Sequence, residues 1–335
     1  MTLRLAHALD FGVLAPFSGP ILAINAHNPA DLVALPQDGL QVQQADYMAH
    51  AALLAAGFSV SPQVEGRFAG ALIRAARNRE QTFGLMAQAV SMVDIGGIVL
   101  LDGAKSDGID AMARSLKVAG LNVETHAKAH GKLTWFYRPE TLPNAFIEWA
   151  ARAGFQENAD GFITAPGMFS HAKPDAGSQF LAEFLPEDLT GTVADFGAGW
   201  GWLSAAVLSR NSALEKLHLV EADHSALAAA RRNITDRRAR FHWGDATQKL
   251  GHVRFDAIVM NPPFHRQGAT NPDLGREFIT SAAAQLGPAG QLYMVANRQL
   301  PYEATLAGLF GEVSTLAQSG VYKVISAARP KRRGT

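Results

Sequence analysis

The sequence predicts an α/β protein of two domains, each a doubly wound, mostly parallel sheet with helices on both faces. Three observations carry that expectation. The chain has 335 residues, enough for roughly two domains of about 150 residues each. Its second half alternates apolar strand patterns with helical ones across short connections. The run from Gly97 to Pro139 reads as glycine, apolar strand, polar loop, helix, strand, strand and Arg–Pro, and the run from Gly290 to Pro330 repeats that series. That is the outline expected of a duplicated unit.

The first half is Ala-rich and reads as helices between short apolar runs. Gly19–Ala26 and Gly96–Leu101 are apolar on both faces, the pattern of buried parallel strands. Asp110–Ala119 has the spacing of an amphipathic helix, and Lys132–Tyr137 reads as a strand. From Pro139 and Pro143 the chain is rich in Pro, Gly, Asn and Asp, so residues 141–170 are expected to be a linker between domains 1–140 and 171–330.

In the second half Thr192–Phe196, Leu217–Glu221, Arg240–Trp243, Phe255–Met260 and Gln291–Ala296 read as strands. Helices are expected from Trp202, over His224–Ile234, Gly275–Leu286 and Tyr302–Phe310. Val313–Gln318 and Tyr322–Ala327 form a closing hairpin that adds one antiparallel strand.

Composition narrows the chemistry. The absence of cysteine excludes disulfides, thiolate nucleophiles and Cys-based metal centres. Thirty Lys plus Arg balance thirty Asp plus Glu, so nucleic-acid contacts must come from local patches. The longest apolar run, Ile95–Leu101, stops at Asp102, far short of the ~20 residues of a membrane span. The N-terminus has no apolar leader pattern, and a cytoplasmic enzyme is expected. No H-E-x-x-H, G-x-S-x-G or P-loop pattern occurs, which argues against metal-hydrolase, serine-hydrolase and nucleotide-hydrolysing chemistry.

After the strand TVADF comes Asp195-Phe196-Gly197-Ala198-Gly199-Trp200-Gly201. Glycines between a strand and a helix free backbone N–H groups and let a ligand approach the main chain. A dinucleotide fold wants glycine three residues after Gly199, where Trp202 stands. The D-x-G-x-G-x-G form resembles instead the first motif of class I S-adenosylmethionine-dependent methyltransferases. Glu221 ends the next strand, where an acid can accept hydrogen bonds from both ribose hydroxyls of an adenosine. Asp223 competes for that role, unless it caps the following helix. Gly244-Asp245-Ala246 closes the third strand, where an acid can hold the adenine amino group, or cap a turn.

The sharpest motif is Asn261-Pro262-Pro263-Phe264, directly after the strand FDAIVM. Two prolines stiffen the backbone and leave carbonyls free to accept. The Asn261 amide oxygen and the Pro262 carbonyl can together accept both hydrogens of a planar exocyclic amine. Those bonds draw the nitrogen toward pyramidal geometry and aim its lone pair. Phe264 offers a face for base stacking, worth about 1–3 kcal/mol. Positioning and polarisation then carry the catalysis, without a strong base.

Beyond that motif, Pro166–Ser170 (PGMFS), Asp175–Gln179 (DAGSQ), Asn261–His265 (NPPFH) and Val295-Ala296-Asn297 followed by Leu300-Pro301-Tyr302 occur in order. In this set the stretch Gly167–Arg329 resembles the ribosomal RNA guanine-N2 methyltransferases of the bacterial small-subunit type. The resemblance implies two Rossmann-like class I methyltransferase domains, with a seven-stranded, mostly parallel sheet in the catalytic domain 171–330. The domain 1–140 would be degenerate, positioning RNA and supporting its neighbour without binding cofactor. It implies S-adenosyl-L-methionine as cofactor and ribosomal RNA or the small subunit as partner, with the protein a monomer. Catalysis falls to Asn261, Pro262, Pro263 and Phe264. Cofactor contacts fall to Ser178, Asp195, Gly197, Ala198, Gly199, Gly201, Glu221, Asp245, Ala246 and Asn261. Glu221 stands where the family often has Asp, and Asp245 where a relative can have Asn. Residues 266–274 supply the loop that would cover the target base.

Other activities share parts of this pattern. N-P-P-[FY] also serves N6-adenine methyltransferases on DNA or RNA and glutamine methyltransferases acting on protein. A noncatalytic RNA-binding assembly factor would keep the fold without needing Asp195, Asn261 and Phe264. Arg231, Arg232, Arg237, Arg238 and Arg240 form a basic cluster for phosphates or a solvated helix end. Arg67, Arg74, Arg77 and Arg79 pose the same choice in the first half, and Arg329, Lys331, Arg332 and Arg333 make a short basic tail.

Overall fold

The computed structural model describes residues 2–263, 265–266, 269–270 and 272–331. The chain forms two compact units, Met1–Phe155 with Ala165–Gly167, and Gln156–Thr164 with Met168–Thr335.

The first unit contains α1 (Thr2–Asp10), β1 (Ile21–Ile24), β2 (Leu40–Gln43), α2 (Tyr47–Ala55), β3 (Val60–Ser61), β4 (Phe68–Arg74), α3 (Arg79–Met92), β5 (Val93–Ala104), α4 (Ile109–Val118), β6 (Glu124–Lys128), β7 (Gly131–Tyr137) and α5 (Asn144–Ala153). Its sheet runs β3-β2-β1-β4-β5-β7-β6, with β7 antiparallel to both neighbours and the other pairs parallel. One face packs Leu22, Ile24, Ile73, Val99 and Leu101 against the helices, and the other packs Ile21, Ala23, Leu72 and Leu100. Alternate residues feed opposite cores, so these strands are apolar throughout.

Residues 144–153, expected to be linker, are a helix of this unit. Phe146 and Trp149 lie three residues apart on one face of α5 and are buried. The Trp149 ring lies 4.5 Å from Phe83 and 4.9 Å from Phe146. Burying two aromatics outweighs the Pro and Gly punctuation on either side.

The second unit opens with a short hairpin, β8 (Gln156–Glu157) and β9 (Ile163–Thr164), also within the expected linker. It continues through α6 (Ala176–Glu183), β10 (Gly191–Phe196), α7 (Trp202–Arg210), β11 (Leu214–Glu221), α8 (His224–Asn233), β12 (Ala239–Trp243) and β13 (Phe255–Met260). The strands β14 (His265–Arg266) and β15 (Ala269–Thr270) pair as a hairpin, followed by α9 (Pro272–Gln285), β16 (Leu286–Asn297), α10 (Glu303–Leu309), β17 (Phe310–Gln318) and β18 (Tyr322–Pro330). The seven-stranded sheet runs β12-β11-β10-β13-β16-β18-β17. Only β18 is antiparallel to its neighbours, as the closing hairpin predicts.

On β10, Val193 joins the core beneath α6, α7 and α8, while Ala194 and Phe196 join the core beneath α9. This alternation turns Asp195 toward α7 at the carboxyl edge of the sheet, where open α/β sheets bind ligands. Among the described residues, no helix is long and apolar enough to cross a membrane.

Candidate functional site

The glycine turn after β10 is built by backbone conformation. Gly197, Gly199 and Gly201 have φ of +77°, +56° and +92°, the left-handed region that side chains strain to enter. The Gly197 and Ala198 amides both donate to the Val220 carbonyl, at 2.9 and 3.2 Å. Gly201 is required for a second reason: a Cβ there would lie 2.9 Å from Ile234 Cδ1 and 3.2 Å from Ala230 Cβ. It seats α8 against the loop, whereas the space over Gly199 is open.

Asp195 is only 1% exposed. Its Oδ2 accepts a 2.7 Å hydrogen bond from the Ser204 hydroxyl on α7. Burial pushes its carboxyl up to about 7 despite that bond. Glu221, at the end of β11, accepts from the Gly199 amide through Oε2 at 2.7 Å and from the Asp223 amide through Oε1 at 2.8 Å. Burial also raises Glu221 to about 7. Asp223 caps α8, its Oδ1 accepting from the Ser225 amide at 2.8 Å. The choice between the two acids therefore favours Glu221 as the group at the loop.

Asn261 follows β13 and meets α6. Its Nδ2 donates to Asp175 Oδ1 at 2.7 Å and to Ser178 Oγ at 2.9 Å. Asp175 in turn caps α6, the same Oδ1 accepting from the Ser178 amide at 3.0 Å. Pro262 is buried and Pro263 exposed. Phe264, expected to stack on the base, lies outside the described residues, as do 267, 268 and 271 of the expected covering loop.

One pocket joins these parts. It is lined by Ser178, Asp195, Gly197, Ala198, Gly199 and Asn261 of the expected residues, and also by Phe169, Ser170, Asp175, Trp200, Trp202 and Leu203. Gly201, Glu221, Asp245, Ala246, Pro262 and Pro263 are not among its lining, though Glu221 is bonded to the loop that is. Asp245 Oδ1 accepts from the amide and the hydroxyl of Thr247, at 2.8 and 2.7 Å, so one of its oxygens closes a turn. Ala246 is buried, and its carbonyl accepts from the Ser281 hydroxyl at 2.7 Å.

The sequence assigns no role to Asp175, Phe169 or Ser204. Asp175 had a visible signal, an acid three residues before Ser178 at a helix start. Phe169 stands in the PGMFS stretch without a role and Ser204 has no signal, because their value comes from a turn and a helix face meeting strand ends. The Phe169–Ser170 turn is fixed: the Trp200 indole donates to the Phe169 carbonyl at 2.8 Å. The Thr164 hydroxyl donates to the His171 carbonyl at 2.8 Å.

The basic clusters are partly structural. Arg238 pairs with Asp236 at 2.7 Å and donates to the Asn211 and Leu208 carbonyls at 2.6 and 2.9 Å. Arg67 pairs with Asp94 at 3.0 Å before β4, Arg74 ends β4 beside Asp102, and Arg79 opens α3, so those arginines share no helix face. Arg329 pairs with Glu312 at 2.9 Å, and Arg332 and Arg333 lie outside the described residues. No cluster of three or more potential metal ligands occurs among the described residues.

The pocket's chemistry fits a cofactor that carries an adenosine and an amino-acid head. Open backbone at Gly199 and a buried acid at Asp195 line the pocket, and the strand-end acid Glu221 is bonded to its loop, groups that could hold such a molecule. Comparison with known proteins agrees. Residues 160–326 match the family described as methyltransferase small domain. The Ribosomal RNA small subunit methyltransferase C of Ectopseudomonas mendocina is 31% identical over 316 residues, covering 89% of this chain and 94% of the relative. The protein of the same name from Shewanella loihica is 38% identical over 161 residues, covering 47% of this chain and 46% of its own. A T. thermophilus 16S rRNA N2 methyltransferase, solved in complex with AdoMet and guanosine, is similar in fold. It aligns at a TM-score of 0.78 with 23% identity, over 96% of this chain and 91% of that one. By the near full-length match in sequence, this chain belongs to the ribosomal RNA small subunit methyltransferase C family.

Proposed function

We propose that the protein is an S-adenosylmethionine-dependent methyltransferase that modifies the exocyclic N2 of a guanosine in small-subunit ribosomal RNA. The observation that carries this reading is the pocket in which the Gly197–Gly199 loop and Asp195 meet Asn261. Cofactor-type and amine-type groups share one cavity there. Family membership supports the substrate class, and the T. thermophilus relative was solved with guanosine.

Bound S-adenosylmethionine supplies an electrophilic methyl group. The chain's own residues do the rest. Glu221 would accept from the ribose hydroxyls, and Asp245 would receive the adenine amino group. Asp195 and the open backbone at Gly199 would hold the amino-acid end. The Asn261 amide oxygen and the Pro262 carbonyl accept the two hydrogens of the target amine, which frees its lone pair from the ring. Phe264 stacks on the base. The enzyme works as a monomer in the cytoplasm.

Nucleoside mass spectrometry of ribosomal RNA from cells with and without the protein tests this. Loss of N2-methylguanosine from one small-subunit fragment is the expected result. Loss of N6-methyladenosine, or of a methylated glutamine with RNA unchanged, would assign the same acceptor geometry to another amine.

A further inference from the structure

We propose that Asp175 is a positioning residue that fixes which end of the Asn261 amide faces the pocket, and so makes the site select an amine over a carbonyl. The inference rests on the reading of Asn261 as acceptor for the target amine, and deepens it.

A primary amide is nearly symmetric in shape but opposite in chemistry at its two ends: the oxygen accepts, the nitrogen donates twice. Turned one way, Asn261 offers an acceptor to the hydrogens of an amine. Turned the other way, it offers donors, which repel those hydrogens and suit a carbonyl. Guanine carries both an amine and a carbonyl on its edge, so the orientation decides which one is admitted.

The surroundings of Asn261 choose the first orientation. Both Nδ2 hydrogens have acceptors, Asp175 Oδ1 at 2.7 Å and Ser178 Oγ at 2.9 Å. Ser178 cannot make the choice alone, since a hydroxyl accepts or donates equally well. A carboxylate only accepts. A flipped amide would press its oxygen against Asp175 and exchange a charge-assisted hydrogen bond for repulsion. Asp175 is itself fixed in place, because the same Oδ1 caps α6 by accepting from the Ser178 amide at 3.0 Å.

The test separates this role from the cap. Ser and Asn cap helices about as well as Asp, but serine is too short to reach Asn261, whereas asparagine keeps an Oδ1 in place. D175S is therefore expected to lower kcat on small-subunit ribosomal RNA on the order of tenfold or more. Its affinity for cofactor should stay within about twofold, a change too small to signal a lost contact. D175N should keep most of the wild-type kcat. Equal kcat in wild type, D175S and D175N would reduce Asp175 to a helix cap and overturn the proposal.

Should D175S fail to fold, the wild-type protein decides. The side-chain amide hydrogens of Asn261, identified in the NMR spectrum by their loss in Asn261→Ala, are expected to be protected from solvent exchange. Exchange as fast as for an exposed asparagine would overturn the inference. That readout needs no substrate. A wild-type protein inactive on ribosomal RNA but with both hydrogens protected would therefore refute the functional reading and leave the positioning role standing.

Discussion

The two units share one topology, and placing their strand ends side by side shows where they differ. Ile24 lies opposite Gln43 and Ile73 in the first sheet, as Phe196 lies opposite Val220 and Met260 in the second. The next residue on each strand is thus equivalent: Asn25 to Gly197, Gln44 to Glu221, and Arg74 to Asn261. Asn25 keeps a left-handed φ of +63° against +77° for Gly197. Each donates its amide to the neighbouring strand, to Gln43 and Val220, at 2.9 Å. Gln44 Oε1 accepts from the Asp46 amide at 2.8 Å, as Glu221 Oε1 accepts from Asp223, and both aspartates cap the following helix.

At that point the units diverge. Glu221 Oε2 accepts from the Gly199 amide, whereas Gln44 Nε2 donates to the Ala26 carbonyl at 2.6 Å. Arg74, in the place of Asn261, is tied to Asp102 at 3.1 Å and lies 3.7 Å from Asp107. Asp102, 1% exposed, is also held by Arg4. In the second unit the strand ends carry acceptors, the Glu221 carboxylate and the Asn261 amide. In the first unit Gln44 and Arg74 are taken up by the unit's own groups, the Ala26 carbonyl and the Asp102 carboxylate. The scaffold needs only apolar strands and capped helices, and tolerates either set.

The largest expected effect is at the Asn261–Arg74 pair. Asn261→Ala should abolish methyl transfer, a loss on the order of a hundredfold or more for a positioned acceptor, with cofactor affinity nearly unchanged. Arg74→Ala should leave turnover per folded molecule intact and lower the denaturation midpoint, because buried Asp102 loses a partner. Comparable collapse of turnover in both variants would break the comparison.

Next comes the Glu221–Gln44 exchange. Glu221→Gln should weaken cofactor binding by about 1.5–3 kcal/mol, the range for a hydrogen bond to a charged group. Gln44→Glu should leave cofactor affinity alone and destabilise the fold by about 1–3 kcal/mol, by setting a buried carboxylate against the Ala26 carbonyl. Calorimetry and urea denaturation of both variants check the pair. The same titration of the wild type should give one cofactor equivalent per chain, and two would restore a working site to the first unit.

The smallest effect is on pH dependence. Burial raises Asp195 and Glu221 to about 7, whereas an unfolded chain titrates such groups near about 4. The folded protein therefore holds protons that the unfolded chain has already released. Their contribution to stability is complete below about 4 and is lost as pH rises through about 7. Cofactor affinity should move the other way, strengthening through about 7 as Glu221 becomes a pure acceptor. Glu221→Gln should remove most of that slope, and an unchanged slope in the variant would assign it to Asp195.

Much of this was legible in the sequence because it depends on short-range pattern. Doubly apolar strands such as Phe255–Met260 declare a sheet covered on both faces. The glycines after Asp195 and the prolines after Asn261 mark backbone that must turn in one way. What the sequence could not settle depends on residues far apart in the chain. Phe146 and Trp149 sit in a stretch that reads as linker, and only their packing against Phe83 makes it a helix of the first unit. Asp223 competes with Glu221 in the sequence, and only the fold bonds Glu221 to the Gly199 amide and Asp223 to its own helix. Asp175 opens the DAGSQ stretch, but its partner Asn261 lies 86 residues away. Local periodicity and turn chemistry determine which elements form, since they act over a few residues. Which donor faces which acceptor is decided only when strand ends and helix caps converge at one edge of the sheet.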